Sequence, residues 1–271
     1  MAEYKEIHTS CSACGSSDGR STYVDGSSHC FSCGKNTQPN KNEKQKMEEQ
    51  PTTKTNKASF VSNGKTTALT RRNLTEETCK KWGYQAAEVD GQMVQVANYR
   101  TRDGKLCGQK IRYADKSFKV RGELIGLYGQ HLWRDSGKRV IVTEGEIDAL
   151  SVSQAFNNRW AVVSVPHGAG GAKNNVAQAL DWLERYEEVV FMFDMDDPGR
   201  KGAAECAALL TPGRAKIAEL PLKDPNDMLK ANRAKEIVTA VFEAREYRPD
   251  GIVGAEELWE KISEVNNVES Q

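Results

Sequence analysis

The chain has 271 residues, 38 of them Lys or Arg and 38 Asp or Glu, so it carries no net charge. That length allows two or three domains and a sizeable core. No apolar run approaches the ~20 residues needed to cross a membrane, and the opening MAEYKEIHTS lacks the apolar stretch of a signal peptide. A cytoplasmic chain with reduced cysteines is therefore expected. The zero net charge hides a segregation. Residues 51–130 hold 15 basic and 7 acidic groups, and residues 131–271 hold 17 and 24. A basic segment beside an acidic one points to a polyanion held near a cation site, with ordinary solvated surface as the alternative.

Residues 1–34 are rich in Gly and Ser and contain four of the seven cysteines. Cys11, Cys14, Cys30 and Cys33 are spaced C-x2-C-x15-C-x2-C, each pair followed by a glycine that lets the backbone turn tightly. Four thiolates at this spacing predict a small zinc ribbon, whose metal supplies most of the folding energy of so short a module. Two disulfides are the alternative, disfavoured in a reducing compartment. Residues 35–57 are polar with one apolar residue, Met47. They read as a flexible linker spanning roughly 25–30 Å on average.

Residues 58–138 form the basic segment. LTEETCKKWGY predicts a short helix with Thr75 as its cap. MVQVANYR and LCGQKIRY predict strands around an RDG turn. Residues 109–122 carry Lys110, Arg112, Lys116, Lys119 and Arg121, interleaved with Tyr113 and Phe118. Cations among aromatics suit phosphates and stacked bases, and on a strand Lys110 and Arg112 share a face. An exposed hairpin with lysines on a sheet edge is the alternative.

From residue 139 to 249 apolar strands (RVIVTE, WAVVSV, EVVFMFD, AKIAEL) alternate with helical patterns (IDALSVSQAF, AKNNVAQALDWLERY, GRKGAAECAALL). That rhythm predicts a parallel sheet covered by helices, an α/β domain in a chain that is α+β overall. EIVTAVFEAREY predicts a further helix, and AEELWEKISEV, within 250–271, a connector helix. Acids stand at three strand ends. Glu144 tops one strand, Gly145 permits a sharp turn, and Asp148 follows about one helical turn on. Asp194 and Asp196 sit two residues apart, on one side if strand geometry persists to residue 196. Asp224, Asn226 and Asp227 follow the fourth strand. Carboxylates this close repel by several kcal/mol at an intermediate effective dielectric, and Mg²⁺ would offset that. Singly, each has a plainer explanation: Glu146 and Asp148 favour a helix N-terminus, and Asp197 suits a turn before Pro198 and Gly199. HGAGGAK at 167–173 lacks the spacing of a phosphate-binding loop and reads as a loop that starts a helix near the site. His131 and His167 read as core or loop residues, and Cys79, Cys107 and Cys206 as small buried hydrophobes.

E-G-x-x-D after one strand, D-x-D after a later one and D-P-N-D after the next resemble the TOPRIM domain. With the four-cysteine ribbon, ALTRRNLTEETCKKWGY, QKIR, HLW, VTEGEIDAL, HGAGGAK, MFDMDDPGRK and PDGIV, nearly the whole chain resembles one family: the primase half of the bifunctional primase–helicase of short-tailed, podovirus-type bacteriophages. That resemblance implies a DNA-dependent RNA primase in the cytoplasm of an infected bacterium. It implies two catalytic Mg²⁺ ions held directly by Glu144, Asp194 and Asp224, with Asp196 and Asp148 close behind. It implies a zinc ribbon that reads the template, and contacts from Lys110, Arg112, Lys116 and Lys119 to nucleotide phosphates or template. The implied partners are single-stranded DNA, ribonucleoside triphosphates, a DNA polymerase and a replicative helicase, fused or separate. The family's histidine three residues before the third cysteine is Ser27 here, with His29 two places on, so the family's template-sequence contacts do not carry over. A non-catalytic TOPRIM DNA-binding module and a TOPRIM nuclease are the rivals.

Overall fold

The computed structural model describes residues 4–14, 16, 20–23, 27–30, 32, 33, 35–37, 59–248 and 259. The chain divides into two compact units, residues 1–58 and 59–271. Most of the expected linker, and all of the expected connector helix except Trp259, lie outside the described residues.

In the first unit β1 (Tyr4–Thr9), β2 (Arg20–Tyr23), β3 (Ser28–Cys30) and β4 (Asn36–Thr37) form an antiparallel sheet in sequence order. Outside β1, the only buried hydrophobic side chains among its described residues are Cys11 and Cys30. A metal on those thiols would add folding energy to so small a sheet.

The second unit opens with a 3-10 turn, Thr70–Arg72, and α1 (Glu76–Trp82). The Thr75 side chain accepts the Thr78 N–H, as the sequence predicts, and Gly83 closes the helix in the left-handed region. An antiparallel meander follows: β5 (Gln85–Val89), β6 (Gln92–Arg100), β7 (Leu106–Arg112) and β8 (Phe118–Gly122). Val94, Val96 and Ile111 of this sheet pack with Val61, Ala87 and Val89. Ala97 and Tyr99 join the main core beside Trp82 and Tyr128.

The second sheet of this unit has the order β10-β9-β11-β12-β13. Strands β9 (Gly137–Thr143), β10 (Ala161–Ser164), β11 (Tyr186–Met192) and β12 (Ala215–Ile217) run parallel, and β13 (Arg245–Glu246) closes the edge antiparallel. The helices are α2 (Glu146–Ala155), α3 (Gly168–Gln178), α4 (Leu180–Leu183), α5 (Asp197–Ala207), α6 (Pro225–Lys230) and α7 (Ala234–Phe242). Alternate residues of each strand supply opposite faces. Ile141, Val162, Val190 and Met192 enter the core containing Leu150, Met228 and Ile237. Val140, Val142, Val163 and Phe191 enter the core containing Val176 and Cys206. Burial on both faces is why these strands read as continuous apolar runs rather than alternating ones.

Three expectations are corrected. β11 ends at Met192, so strand geometry does not reach Asp196. EIVTAVFEAREY is not one helix: it stops at Phe242, and Arg245–Glu246 pair with Lys216 and Ile217. AKNNVAQALDWLERY breaks at Ala179, between α3 and α4. Cys79 and Cys206 are buried, whereas Cys107 is only partly so.

Candidate active site

The ends of the parallel strands deliver the acids to one region. Glu144 follows β9. Gly145 comes next, and a Cβ there would meet Asp148 Oδ2 at 2.7 Å, so glycine lets Asp148 fold back beside the strand end. Glu144 Oε1 accepts the Ala169 N–H (3.2 Å) in the first turn of α3; HGAGGAK, expected as a loop before the helix, is itself helical from Gly168 and starts α3 against the site. Glu144 Oε2 is buried with no hydrogen-bond partner. Asp194 lies just past β11 and its side chain is 19% exposed. Burial, then Glu144 and Asp224, push its carboxyl up to about 6. Burial, then Asp224 and Asp194, hold Asp148 well above the usual carboxylate range.

Asp196 and Asp224 reach this region by another route. Each is a helix N-cap: Asp196 accepts the Gly199 N–H (3.0 Å) at α5, and Asp224 the Asp227 N–H (2.7 Å) at α6. The Gly199 bond holds Asp196 below its ordinary range, so it stays charged. Asp194 and Asp196 are joined not by the pleat of one strand but by a shared cation: Lys223 Nζ lies 3.5 Å from Asp194 Oδ2 and 3.3 Å from Asp196 Oδ2. Gly199 is needed where α5 starts, since a Cβ there would collide with the Asp194 carbonyl oxygen.

Sequence reasoning passed over Asn226 as more than part of an acidic cluster, yet it is the hub of the site. It is 1% exposed. Its backbone N–H donates to Asp148 Oδ1 (3.4 Å), and its Nδ2 donates to Arg72 O (2.9 Å) and Ser151 Oγ (3.0 Å). Its Oδ1 accepts from Arg72 Nη1 (3.1 Å). One side chain thus ties α2, α6 and the 3-10 turn together behind the acids. Lys223 was missed too; a lysine beside D-P-N-D carried no periodic signal to find it by.

Glu144, Asp148 and Asp194 line a cleft of about 430 Å³ whose other wall is β7 and β8. Lys110 is anchored there, with Nζ 2.9 Å from Glu146 Oε1, 2.9 Å from Pro166 O and 5.0 Å from the Phe118 ring centre. Tyr99 also donates to Glu146 Oε1 (2.6 Å). Arg112 lies 5.3 Å from the Phe118 ring, and half-exposed Phe118 and Val120 give the cleft an apolar lip. His167, read from the sequence as a core or loop residue, also lines this cleft. Lys116, in the left-handed region at φ 69°, lines a second cleft of about 500 Å³ with Arg71, Arg72 and Arg112. Lys119 is not brought to the acids. Phe118 and Val120 take the cleft face of β8, and Lys119 lies on the other, 5.1 Å from the Tyr113 ring. There it behaves as a lysine on an edge strand.

In the first unit the ligand atoms of Cys11, Cys14, Cys30 and Cys33 all lie within 4.8 Å of one another. Among the described residues they are the only group of three or more His, Cys, Asp or Glu side chains gathered closely enough to hold one metal ion. Cys14 Sγ and Cys30 Sγ are 3.8 Å apart, far beyond a disulfide's ~2 Å. The Ala13 and Cys14 N–H groups bring the Cys11 thiol down to about 6. At Cys14 the Ser16 N–H also lowers the thiol, but the Cys33 sulfur and burial outweigh it, to about 11. Neighbouring sulfurs that resist full ionisation are a donor set that a divalent cation completes, and all-sulfur tetrahedral ligation fits zinc.

The family model described as the bacteriophage T7 DNA helicase/primase N-terminal a+b fold matches residues 64–122, and a Toprim-like model matches residues 141–229. The primase fragment of the bacteriophage T7 primase-helicase protein is 38% identical with a TM-score of 0.64, covering 86% of this chain and 98% of that one. The chain belongs to the T7-type primase–helicase family. T7 primase domains, solved with lagging-strand DNA polymerase, an RNA/DNA hybrid and dTTP, are 42% identical with a TM-score of 0.65, covering 68% of this chain and 95% of that one. The DNA helicase/primase of Enterobacteria phage T3 is 39% identical over 95% of this chain and 47% of its own length. The chain thus spans about half the length of that curated relative. The fold extends further, to the E. coli primase catalytic core, at 14% identity and a TM-score of 0.52 over 66% of this chain and 72% of that one. Among the described residues of this T7-type chain, no helix is long and apolar enough to cross a membrane.

Proposed function

We propose that the chain is a DNA-dependent RNA primase that makes short RNA primers on single-stranded DNA during phage replication. The observation that carries this reading is the acidic group at the parallel-strand ends: a buried, unpartnered Glu144 oxygen beside Asp194, whose carboxyl is pushed up to about 6. Unpaired buried oxygens and crowded carboxylates fit a divalent cation. Glu144, Asp194 and Asp224 would hold the Mg²⁺, with Asp196 and Asp148 beside them, and two such ions would neutralise a triphosphate and activate the attacking 3′-hydroxyl.

The chain's own residues do the rest. Arg112 and the Phe118–Val120 lip offer a cation and apolar surface to a nucleotide in the same cleft as the acids. Lys110, held by Glu146 and the Pro166 carbonyl, lies on that wall beside Phe118, in reach of a nucleotide phosphate. Arg71, Arg72, Arg112 and Lys116 form a basic path for phosphates next to it. The ribbon, with zinc on its four thiols, reads the template. In this reading residues 58–138 and 139–249 are the two halves of the RNA polymerase unit, supported by the separate family matches at 64–122 and 141–229. A helicase, as in the T3 helicase/primase, and the DNA polymerase bound to T7 primase domains are the partners proposed for it, in the cytoplasm of the infected host.

The test mixes the protein with single-stranded DNA of random sequence, Mg²⁺ and labelled ribonucleoside triphosphates, and resolves the products on a gel. Short discrete RNAs that disappear with EDTA are expected. Cleaved DNA instead of RNA would make it a nuclease on the same acids. Binding with neither product, even with the helicase supplied, would make it a non-catalytic binding module.

A further inference from the structure

The parallel sheet has a second open face, at the end opposite the acids. Where β9, β10 and β11 begin there is a cavity of about 610 Å³, within the usual range for a ligand site. Its apolar wall is Trp160, Tyr186 and Phe242. Trp160 and Phe242 stand edge to face at 5.5 Å, and Phe242 is 55% exposed. These rings are fixed before anything binds. Tyr186 OH donates to Arg134 O (2.6 Å), Trp133 Nε1 to Val162 O (2.6 Å), and the Arg139 guanidinium lies 4.9 Å from the Phe242 ring centre. Arg139 is itself neutralised by Glu188 at 2.5 Å. The other cations of the rim are not. Arg134, Lys138 and Arg159 are exposed, and among the described residues no carboxylate pairs with them.

Three cations without a carboxylate partner beside an exposed ring leave both charge and an aromatic face available to a ligand that can use both. A membrane surface would supply the charge but calls for a continuous apolar face rather than a pocket. Single-stranded nucleic acid supplies both parts: phosphates for the cations and flat bases for the rings, without sequence preference. We propose that this cavity is a second contact site for single-stranded nucleic acid, holding a part of the strand that lies outside the acidic cleft. It rests on the reading of the chain as a protein that works on single strands. It adds a site at the far end of the sheet, some seven strand residues or ~23 Å from the acids. A strand held at both ends of the sheet stays on the protein while its reacting part moves.

The test is equilibrium binding of a labelled oligothymidylate to the full chain, without Mg²⁺ or nucleotides, so that it does not depend on the acids holding metal. The variant Arg134→Glu/Lys138→Glu/Arg159→Glu should bind at least about tenfold more weakly. The slope of log affinity against log salt should shrink by about 2, since each lost phosphate contact contributes ~0.7. Phe242→Leu, which keeps an apolar side chain there, should weaken binding with the slope unchanged. Photocrosslinks from iodouracil-containing strands should map to Trp160 or Phe242. Thermal melting of each variant checks the fold. Wild-type affinity and slope in the triple variant, or crosslinks confined to the basic cleft of Arg71, Arg72 and Lys116, would overturn the proposal. So would displacement of the strand from these rings by a glutamate-rich aromatic peptide at lower concentration, which would mark a peptide-docking face. Strand binding at these rings by the parent chain, with no primer made by it even when the helicase is supplied, would count against the primase reading alone.

Discussion

At the scale of single residues, two of the acids have two jobs, and the jobs can be separated. Asp196 and Asp224 cap α5 and α6 through one side-chain oxygen each. Asparagine caps a helix as well as aspartate, whereas alanine costs about 1 kcal/mol. Asp224→Asn and Asp196→Asn should therefore melt within about 0.5 kcal/mol of the parent, and Asp196→Ala should lose about 1 kcal/mol. If the charge serves metal, Asp224→Asn should nevertheless lose primer synthesis; a fully active Asp224→Asn protein would remove it from the ligand set. Asp194 gives a prediction in pH. Its folded carboxyl titrates at about 6, against ~3.9 when unfolded. Between those values the folded state binds the extra proton, so metal-free stability falls as pH rises from about 4 to 6. Asp148, displaced in the same direction, adds to the fall. Chemical denaturation without metal should show that loss, on the order of 2 kcal/mol. Mg²⁺ should restore stability above pH ~6 and do little at pH ~4, where the carboxyls hold protons. A metal-free protein most stable near neutrality would contradict the geometry.

At the scale of elements, the site is assembled by ties between helices more than by any one strand. Asn226 joins α6 to α2 and to the Thr70–Arg72 turn with four hydrogen bonds, three of them from its side chain. Asn226→Ala would take away its bonds to part-buried Arg72 and to buried Ser151 Oγ, so a cost of about 1–3 kcal/mol is expected. A loss of Mg²⁺ affinity, read by titration calorimetry at a temperature where the variant is folded, should accompany it. Unchanged metal affinity would make Asn226 a brace only. None of this was legible in sequence, because Arg72 and Asn226 are 154 residues apart. Features carried by local chemistry were legible: the cap at Thr75, the apolar strands β9 and β11, the acids where those strands stop. Where short pieces competed with a longer pattern, the pattern misled. Arg245–Glu246 continue a helical spacing yet pair with the edge strand β12. β5 went unseen because QAAEV is poor in β-branched residues, although Asp90–Gly91 after it, both at positive φ, is the two-residue hairpin signal.

At the scale of the whole molecule, the two units get their stability from different sources. The second has fully buried side chains on both faces of its parallel sheet, each such Leu, Ile or Phe contributing roughly 1.5–3 kcal/mol. Among the residues of the first whose burial is described, the buried hydrophobic side chains are two thiols, so a metal on its four cysteines would supply folding energy that the second unit takes from its core. A strong zinc chelator should therefore abolish the β1–β4 signal in circular dichroism and release one equivalent of zinc. The main thermal transition, that of residues 59–271, should keep its midpoint within a few degrees. A single transition shifted as a whole would mean that the units fold as one. Function should divide along the same line. A chain lacking residues 1–34 keeps Glu144, Asp194 and Asp224 and should still bind Mg²⁺ and extend a preformed RNA primer on DNA. If the ribbon selects the start site, as proposed, the shortened chain should fail to initiate on single-stranded DNA. Both activities are read on one gel with labelled ribonucleotides. Initiation at the parent rate by the shortened chain would take template reading away from the ribbon and move it to the basic cleft of Arg71, Arg72, Arg112 and Lys116.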